Sequence, residues 1–269
     1  NTAFYAAVPA QYKDYYMRFV KQYFQWYDGF VPMFHNHHHG IFSTRLAYTV
    51  LHKLAEQTTG ARVLFEDEGK NGEALRFIEK FSEKNSLSNK ITQATEWAFA
   101  GGDSLLKANV RNGDIFVDTI RKDNYFLNTD FSGEITAVSI LLYTYTDMIQ
   151  ENQTDQRRLF YLLEERKYED GVPKERLTIK QGSGDRITYK NVDFQSADVD
   201  FKSLPRHIRQ RLTTEFPGVT FGEWSELPFK SLGVYMIKTT DKISFAPALP
   251  FGESILSNNI HVLMSYDFY

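Results

Sequence analysis

Through the first hundred residues, apolar side chains recur every three or four positions, the spacing of helices that bury one face. The clearest series is Tyr12, Tyr16, Phe19 and Tyr23, with Lys13 among the charged residues opposite it. Three more helices are predicted, from Ser43 to Gly60, from Glu73 to Lys84, and from Ser86 or Ser88 to Gly101-Gly102. Residues 1–100 are therefore predicted to be mainly helical.

After residue 100 the pattern changes to the alternation of half-buried β-strands. Two such runs, 104–110 and 114–120, flank Asn112-Gly113, a dipeptide that favours tight hairpin turns. Further strands are predicted at 135–145, 158–168, 174–180 and 232–239. Residues 101–240 are thus predicted to be mainly β. Helices followed by antiparallel hairpins indicate the α+β class.

Two later segments return to helical spacing. A short helix is predicted near 203–216, with Ser203 as its N-cap and Pro205 in its first turn. A last helix is predicted over 253–269, after Gly252. This last segment has no stop signal, which indicates that the sequence ends inside a larger protein.

The amino-acid composition excludes several classes of function. The 269 residues are 42% hydrophobic and 24% charged, as in ordinary globular proteins. The net charge of −3 provides no general attraction for nucleic acid. Because cysteine is absent, disulfides, thiolate zinc sites, iron–sulfur clusters and cysteine nucleophiles are excluded. No apolar run reaches the ~18 residues of a membrane-spanning helix, so we expect no membrane partner.

The most conspicuous polar stretch is His35-Asn-His-His-His-Gly40. Imidazole is a common metal ligand, and His35, His37 and His39 are the candidate ligands. The stretch lacks the HExxH pattern and a following Asp, which favours an exposed polar loop over a metal site. A metal-dependent hydrolase built on these histidines stays open as an alternative. Metal analysis after purification without an affinity tag or metal column would separate the two.

One segment is locally basic, with Lys202, Arg206, Arg209 and Arg211. The buried stripe of the helix predicted there is Leu204, Ile208 and Leu212. Arg206 and Arg209 are then expected to face outward together. With Arg211 they are the candidate contacts to nucleic-acid phosphates or to an acidic neighbouring subunit, and a helix face exposed to solvent alone is the alternative. The motifs GxxxxGK[ST], GxSxG and SxxK are absent, so no catalytic residue and no cofactor is predicted.

Three stretches carry a family resemblance. The first is 41–56 with 63–66, the second runs from 98–108 through 112–118 and 123–126 to 132–135, and the third is 249–258. They comprise a helix after a polar loop, a Gly-Gly turn with a hairpin and strand, and a Pro-x-Gly-x-Ser segment. In this order they resemble portal proteins of tailed bacteriophages, particularly phages of Gram-positive hosts.

This resemblance implies a non-enzymatic structural subunit, with residues 1–269 forming the wing and ending before most of the stem, clip and crown. It implies a ring, commonly of twelve copies, at the unique capsid vertex of the virion, assembled in the host cytoplasm. The implied partners are the major capsid protein, the terminase motor, head-completion or adaptor proteins, and double-stranded DNA passing through the ring.

The sequence departs from the family at one loop and leaves one more function open. Where relatives often have a Lys/Arg-rich run before the second helix, this chain has the histidines of 35–39, which are mostly uncharged at neutral pH. That difference weakens any phosphate-binding role for the loop. Another phage head or adaptor protein with similar helix and hairpin patterns is the remaining alternative.

Overall fold

The computed structural model describes residues 10–28, 45–59, 72–111, 113–130, 134–151, 154–182, 197–240 and 251–257. These residues form five α-helices and eight strands in two antiparallel sheets, which confirms the α+β class. The helices are α1 (Ala10–Tyr27), α2 (Leu46–Thr59), α3 (Gly72–Asn85), α4 (Leu87–Gly101) and α5 (Arg206–Glu215). The strands are β1 (Asp103–Arg111), β2 (Asp114–Arg121), β3 (Tyr125–Thr129), β4 (Ile135–Glu151), β5 (Thr154–Glu169), β6 (Val172–Gly182), β7 (Ser225–Glu226) and β8 (Val234–Lys238).

One compact unit comprises the described residues within 1–123 and 233–269. Its antiparallel sheet has the strand order β2-β1-β8, and α4 packs on that sheet while α1, α2 and α3 pack on α4. Ala94 and Ala98 of α4 are fully or almost fully buried, and small residues let neighbouring backbones approach closely. Phe24, Leu51 and Leu105 are also buried in this unit. The buried faces of α1, α2 and α4 thus pack in one core, whereas Phe77 of α3 is exposed.

A buried side chain covers the free edge of β2. Asn85, at the end of α3, donates from its amide nitrogen to the Ile115 carbonyl at 3.2 Å. Its amide oxygen accepts from the Val117 N–H at 2.9 Å. The side chain therefore replaces part of a neighbouring strand, and the edge groups it pairs are unavailable for strand addition.

The other compact unit, 124–232, contains the sheet β3-β4-β5-β6-β7 and helix α5. Its β4 strand contains a bulge between Leu141 and Tyr143. Leu141 packs with Tyr161 on one face, whereas Tyr145 packs with α5 on the other. Without the bulge, residues 141, 143 and 145 would share a face.

The boundaries of the two compact units differ from the boundaries between the predicted helical and β parts of the chain. The sequence predicted helical and β parts in succession, but β8 returns to pair with β1, with Ser104 opposite Ile237. The sheet of the first unit therefore joins segments from before and after the second unit. Among the described helices, none combines the length and the apolar character needed to cross a bilayer.

The helix predicted over 253–269 is wrong for its first residues. Residues 253–257 form irregular chain and a turn, and 258–269 lie outside the described residues. The Ser254 hydroxyl donates to the Ala100 carbonyl at 2.6 Å, and the Ile255 N–H donates to the Phe99 carbonyl at 3.0 Å. These bonds satisfy carbonyls that the last turn of α4 leaves open, so tertiary pairing replaces helical hydrogen bonding here.

A close backbone contact, which we call the glycine junction, joins Gly102 to Gly252. A Cβ atom placed on either glycine would clash with the carbonyl oxygen of the other. The Gly252 N–H donates to a carboxylate oxygen of Asp103 at 3.3 Å, and Ser254 adds its bond to α4. Only residues without a side chain allow the two segments to meet this closely.

Candidate contact surface on helix α5

The basic segment does form a helix, but its start differs from the prediction. Ser203 lies within a 3-10 turn, Phe201–Ser203, so its hydroxyl donates to the Asp200 carbonyl at 2.7 Å and does not cap α5. The carboxylate of Asp200 caps that turn by accepting from the Lys202 N–H at 3.1 Å. Pro205 occupies the N-cap position, one residue before the first turn of α5.

The predicted buried stripe of α5 is confirmed. Leu204, Ile208 and Leu212 are 3%, 1% and 0% exposed. They pack on the face of the sheet formed by Tyr145, Phe160, Leu162 and Ile179. Burying three aliphatic side chains stabilises this contact by about 1.5–3 kcal/mol each. The helix is therefore fixed on the sheet, with its orientation set by the stripe.

Arg206 and Arg209 lie on the side of α5 that the stripe leaves free. At 100° per residue they are about 60° apart around the helix. Arg206 is exposed and Arg209 is half-buried, so the predicted shared face is fully outward only at Arg206. The Nε atom of Arg209 is buried and has no hydrogen-bond partner within the residues that the structure describes. Lys202, just before α5, is exposed as well.

Arg211 lies on the opposite flank, about 140° from Arg206 around the helix. Its Nε donates to Glu215 at 2.7 Å, and its guanidinium lies 5.3 Å from the ring centroid of Tyr145. The Tyr145 hydroxyl donates to the same carboxylate at 3.0 Å. Burial, then this hydrogen bond, raises the pKa of Tyr145, while the hydrogen bond from Arg211 lowers the pKa of Glu215. Arg211 is therefore paired within the chain.

Aromatic rings adjoin the C-terminal end of α5. Tyr143 is 48% exposed and lies 6.2 Å, centroid to centroid, from Phe216. Phe221 links Phe216 to Phe201, on which it stacks at 4.9 Å. Tyr143 could not be predicted from the sequence, because the bulge in β4 moves this residue onto the α5 face. We call Lys202, Arg206 and Arg209 the α5 surface; Tyr143 lies on the other flank of α5, near Arg211.

The candidate metal ligands His35, His37 and His39, in a stretch predicted to be an exposed polar loop, lie outside the described residues. Within the described ranges, no group of three or more His, Cys, Asp or Glu side chains is placed to hold a metal ion. The arrangement around α5 is one of cations and an exposed aromatic ring. Such a surface can contact an acidic or phosphate-bearing partner.

A scan against models of protein families gives no match for this sequence, and a search of curated proteins gives none either.

Proposed function

We propose that this chain is a non-enzymatic structural subunit of the ring-shaped portal at the unique capsid vertex of a tailed bacteriophage. In this role it forms the wing of the ring, commonly a dodecamer. The ring is the conduit for genome packaging and DNA ejection. It also docks the major capsid protein, the terminase motor and head-completion proteins.

The glycine junction is the observation that carries this proposal. The segments 98–108 and 249–258 resemble the family independently and are far apart in the chain. The backbone contact between Gly102 and Gly252 brings them together, and the hydrogen bond of Ser254 to Ala100 reinforces it. One backbone contact thus explains the glycines of both the Gly-Gly turn and the Pro-x-Gly-x-Ser segment. This supports treating the two segments as parts of a single family resemblance.

The α5 surface fits a contact between ring subunits. A closed ring requires two different surfaces on each copy, because every subunit meets one neighbour on each side. The three cations of the α5 surface, at 202, 206 and 209, leave the other residues with a formal charge of −6, which is −3 minus +3. An acidic surface on the adjacent copy is therefore the partner that we assign to Arg206 and Arg209.

Reversing the charge of the α5 surface should weaken assembly. The double variant Arg206→Glu with Arg209→Glu places like charges opposite each other across the contact, which costs several kcal/mol. We expect the apparent association constant of the intact gene product to fall by about a hundredfold or more. Mass photometry across a range of protein concentrations measures this loss, and circular dichroism establishes that the variant is folded.

Two controls make this result specific. Arg206→Lys with Arg209→Lys keeps the charges, so most of the assembly should remain. Arg76→Glu makes the same kind of charge reversal at an exposed position on α3, in the other compact unit, and should leave assembly unchanged. Equal assembly of the wild type and the reversed double variant would exclude the α5 surface from the ring contact.

A further inference from the structure

His52, on α2, lies between two carboxylates. Its Nδ1 is 3.0 Å from a carboxylate oxygen of Glu96, and its Nε2 is 3.2 Å from one of Glu56. A neutral imidazole carries a proton on only one nitrogen, so the other would direct its lone pair at an anion. The geometry is therefore that of a charged imidazolium that donates from both nitrogens.

Glu96 connects this histidine to two further elements of the same unit. It belongs to α4, its side chain is only 7% exposed, and it accepts a hydrogen bond from the Tyr27 hydroxyl at the end of α1. Burial, followed by the hydrogen bond to Glu96, raises the pKa of Tyr27, so this phenol remains a donor over the whole neutral range. One carboxylate thus joins α1, α2 and α4.

The other groups around His52 leave its two carboxylates as the dominant charges. On α2, Tyr48 stacks on the imidazole at 5.5 Å, and Lys53 pairs with Glu56 at 2.7 Å. On the α1 side, Asp28 lies near Tyr27 and is held by Arg121 from β2 through two bonds of 3.0 Å. Lys53 opposes protonation of His52, but it is 69% exposed and its charge is shared with Glu56.

We propose that the cluster of Tyr27, His52, Glu56 and Glu96 is a proton-linked latch. While His52 is protonated, it holds α2 to α4 and, through Glu96, to α1. When the imidazole of His52 loses its proton, one of its nitrogens directs a lone pair at a carboxylate, and α2 loosens from α4. The latch is independent of the proposed portal assembly, since all of its groups belong to one compact unit of a single chain.

The direction in which pH changes the stability of the latch follows from the pKa of His52. The hydrogen bond to Glu96 raises that pKa, with added attraction from Glu96 and Glu56, against opposing contributions from burial and Lys53. A folded-state pKa above the unfolded value stabilises the fold fully below the unfolded pKa, about 6.5. That stabilisation is lost as pH rises through the folded pKa. The latch is therefore closed under mildly acidic conditions and opens toward alkaline pH.

Histidine-selective NMR of the intact chain tests the latch. We expect the His52 ring signal, assigned as the one missing from His52→Gln, to titrate above the ordinary range of histidine. In Glu56→Gln, which changes an exposed residue and should fold normally, the pKa of His52 should move down toward that range. A His52 signal that titrates at or below the ordinary value would refute the latch.

A second measurement links titration to structure. Hydrogen exchange of the α2 amides, corrected for intrinsic exchange rates, should show protection that falls between about pH 6 and about pH 8. This pH-dependent fall should vanish in His52→Gln and persist in His207→Gln, a matched change at a histidine that is 61% exposed on α5. The same fall in wild type and His52→Gln would show that the histidine does not control α2.

Discussion

Replacing Gly102 with alanine should unfold the first compact unit or destabilise it by about 3–5 kcal/mol. Gly102 has a φ angle of +95°, which strains any residue with a side chain, and an added Cβ would clash with the Gly252 carbonyl oxygen. That oxygen belongs to backbone, so it cannot rotate away as a flexible side chain can. Urea denaturation followed by far-UV circular dichroism measures the loss.

Gly113→Ala is the matched control. Gly113, in the hairpin between β1 and β2, has a φ angle of +82°, but an added Cβ would have no neighbour within 4 Å. Gly113→Ala should therefore lower the free energy of unfolding only through the strain of the left-handed backbone, by about 1–2 kcal/mol. Equal losses at the two glycines would show that the backbone contact at the glycine junction contributes nothing to stability. Gly252→Ala should also be strongly destabilising, because its Cβ would meet the Gly102 carbonyl oxygen, but it should cost less than Gly102→Ala because Gly252 does not have a positive φ angle.

Replacing Lys122 with methionine should cost about 3–5 kcal/mol, because it leaves a buried carboxylate without its cation. Lys122 and Asp103 are 1% and 0% exposed, and their charged atoms are 2.8 Å apart. The Lys122 ammonium also lies 3.5 Å from the centroid of the Phe251 ring, next to the glycine junction. Burial lowers the pKa of Lys122, and the attraction of Asp103 opposes that change. The free energy of unfolding from urea titration is the quantity to compare.

An exposed ion pair provides the comparison for Lys122. Lys84 and Asp114 lie 2.6 Å apart, but their side chains are 46% and 57% exposed. Lys84→Met should therefore change stability by no more than about 1 kcal/mol. The double variant Lys122→Met with Asp103→Leu should recover much of the loss, since it removes both buried charges. If Lys122→Met costs no more than Lys84→Met, burial does not strengthen the inner pair.

The sequence predicted those elements that depend on residues close together in the chain. The helix predicted from Glu73 to Lys84 extends from Gly72 to Asn85, because its helical spacing and its boundaries are local signals. The β1–β2 hairpin was predicted for the same reason, from alternation and from Asn112-Gly113. The buried stripe of α5 followed from spacing alone, and so did the exposure of Arg206.

Features that depend on distant residues could not be predicted. Strands β1 and β8 are separated in the chain by the whole second unit, residues 124–232. No local signal in the sequence therefore encodes their pairing. Asn85 looks like an ordinary polar helix residue until β2 lies beside it. The same holds for His52, whose two carboxylates come from different helices. In 253–257 the helical spacing is genuine, but hydrogen bonds to the end of α4 override it.

Electron microscopy of the intact gene product tests the proposed role most directly. We predict closed rings with radial symmetry and a central hole wide enough for duplex DNA, with twelve subunits as the expected number. The double variant Arg206→Glu with Arg209→Glu, imaged at the same concentration, should show fewer rings. Folded wild-type protein that remains monomeric at every concentration, or forms particles without a central hole, would contradict the portal assignment.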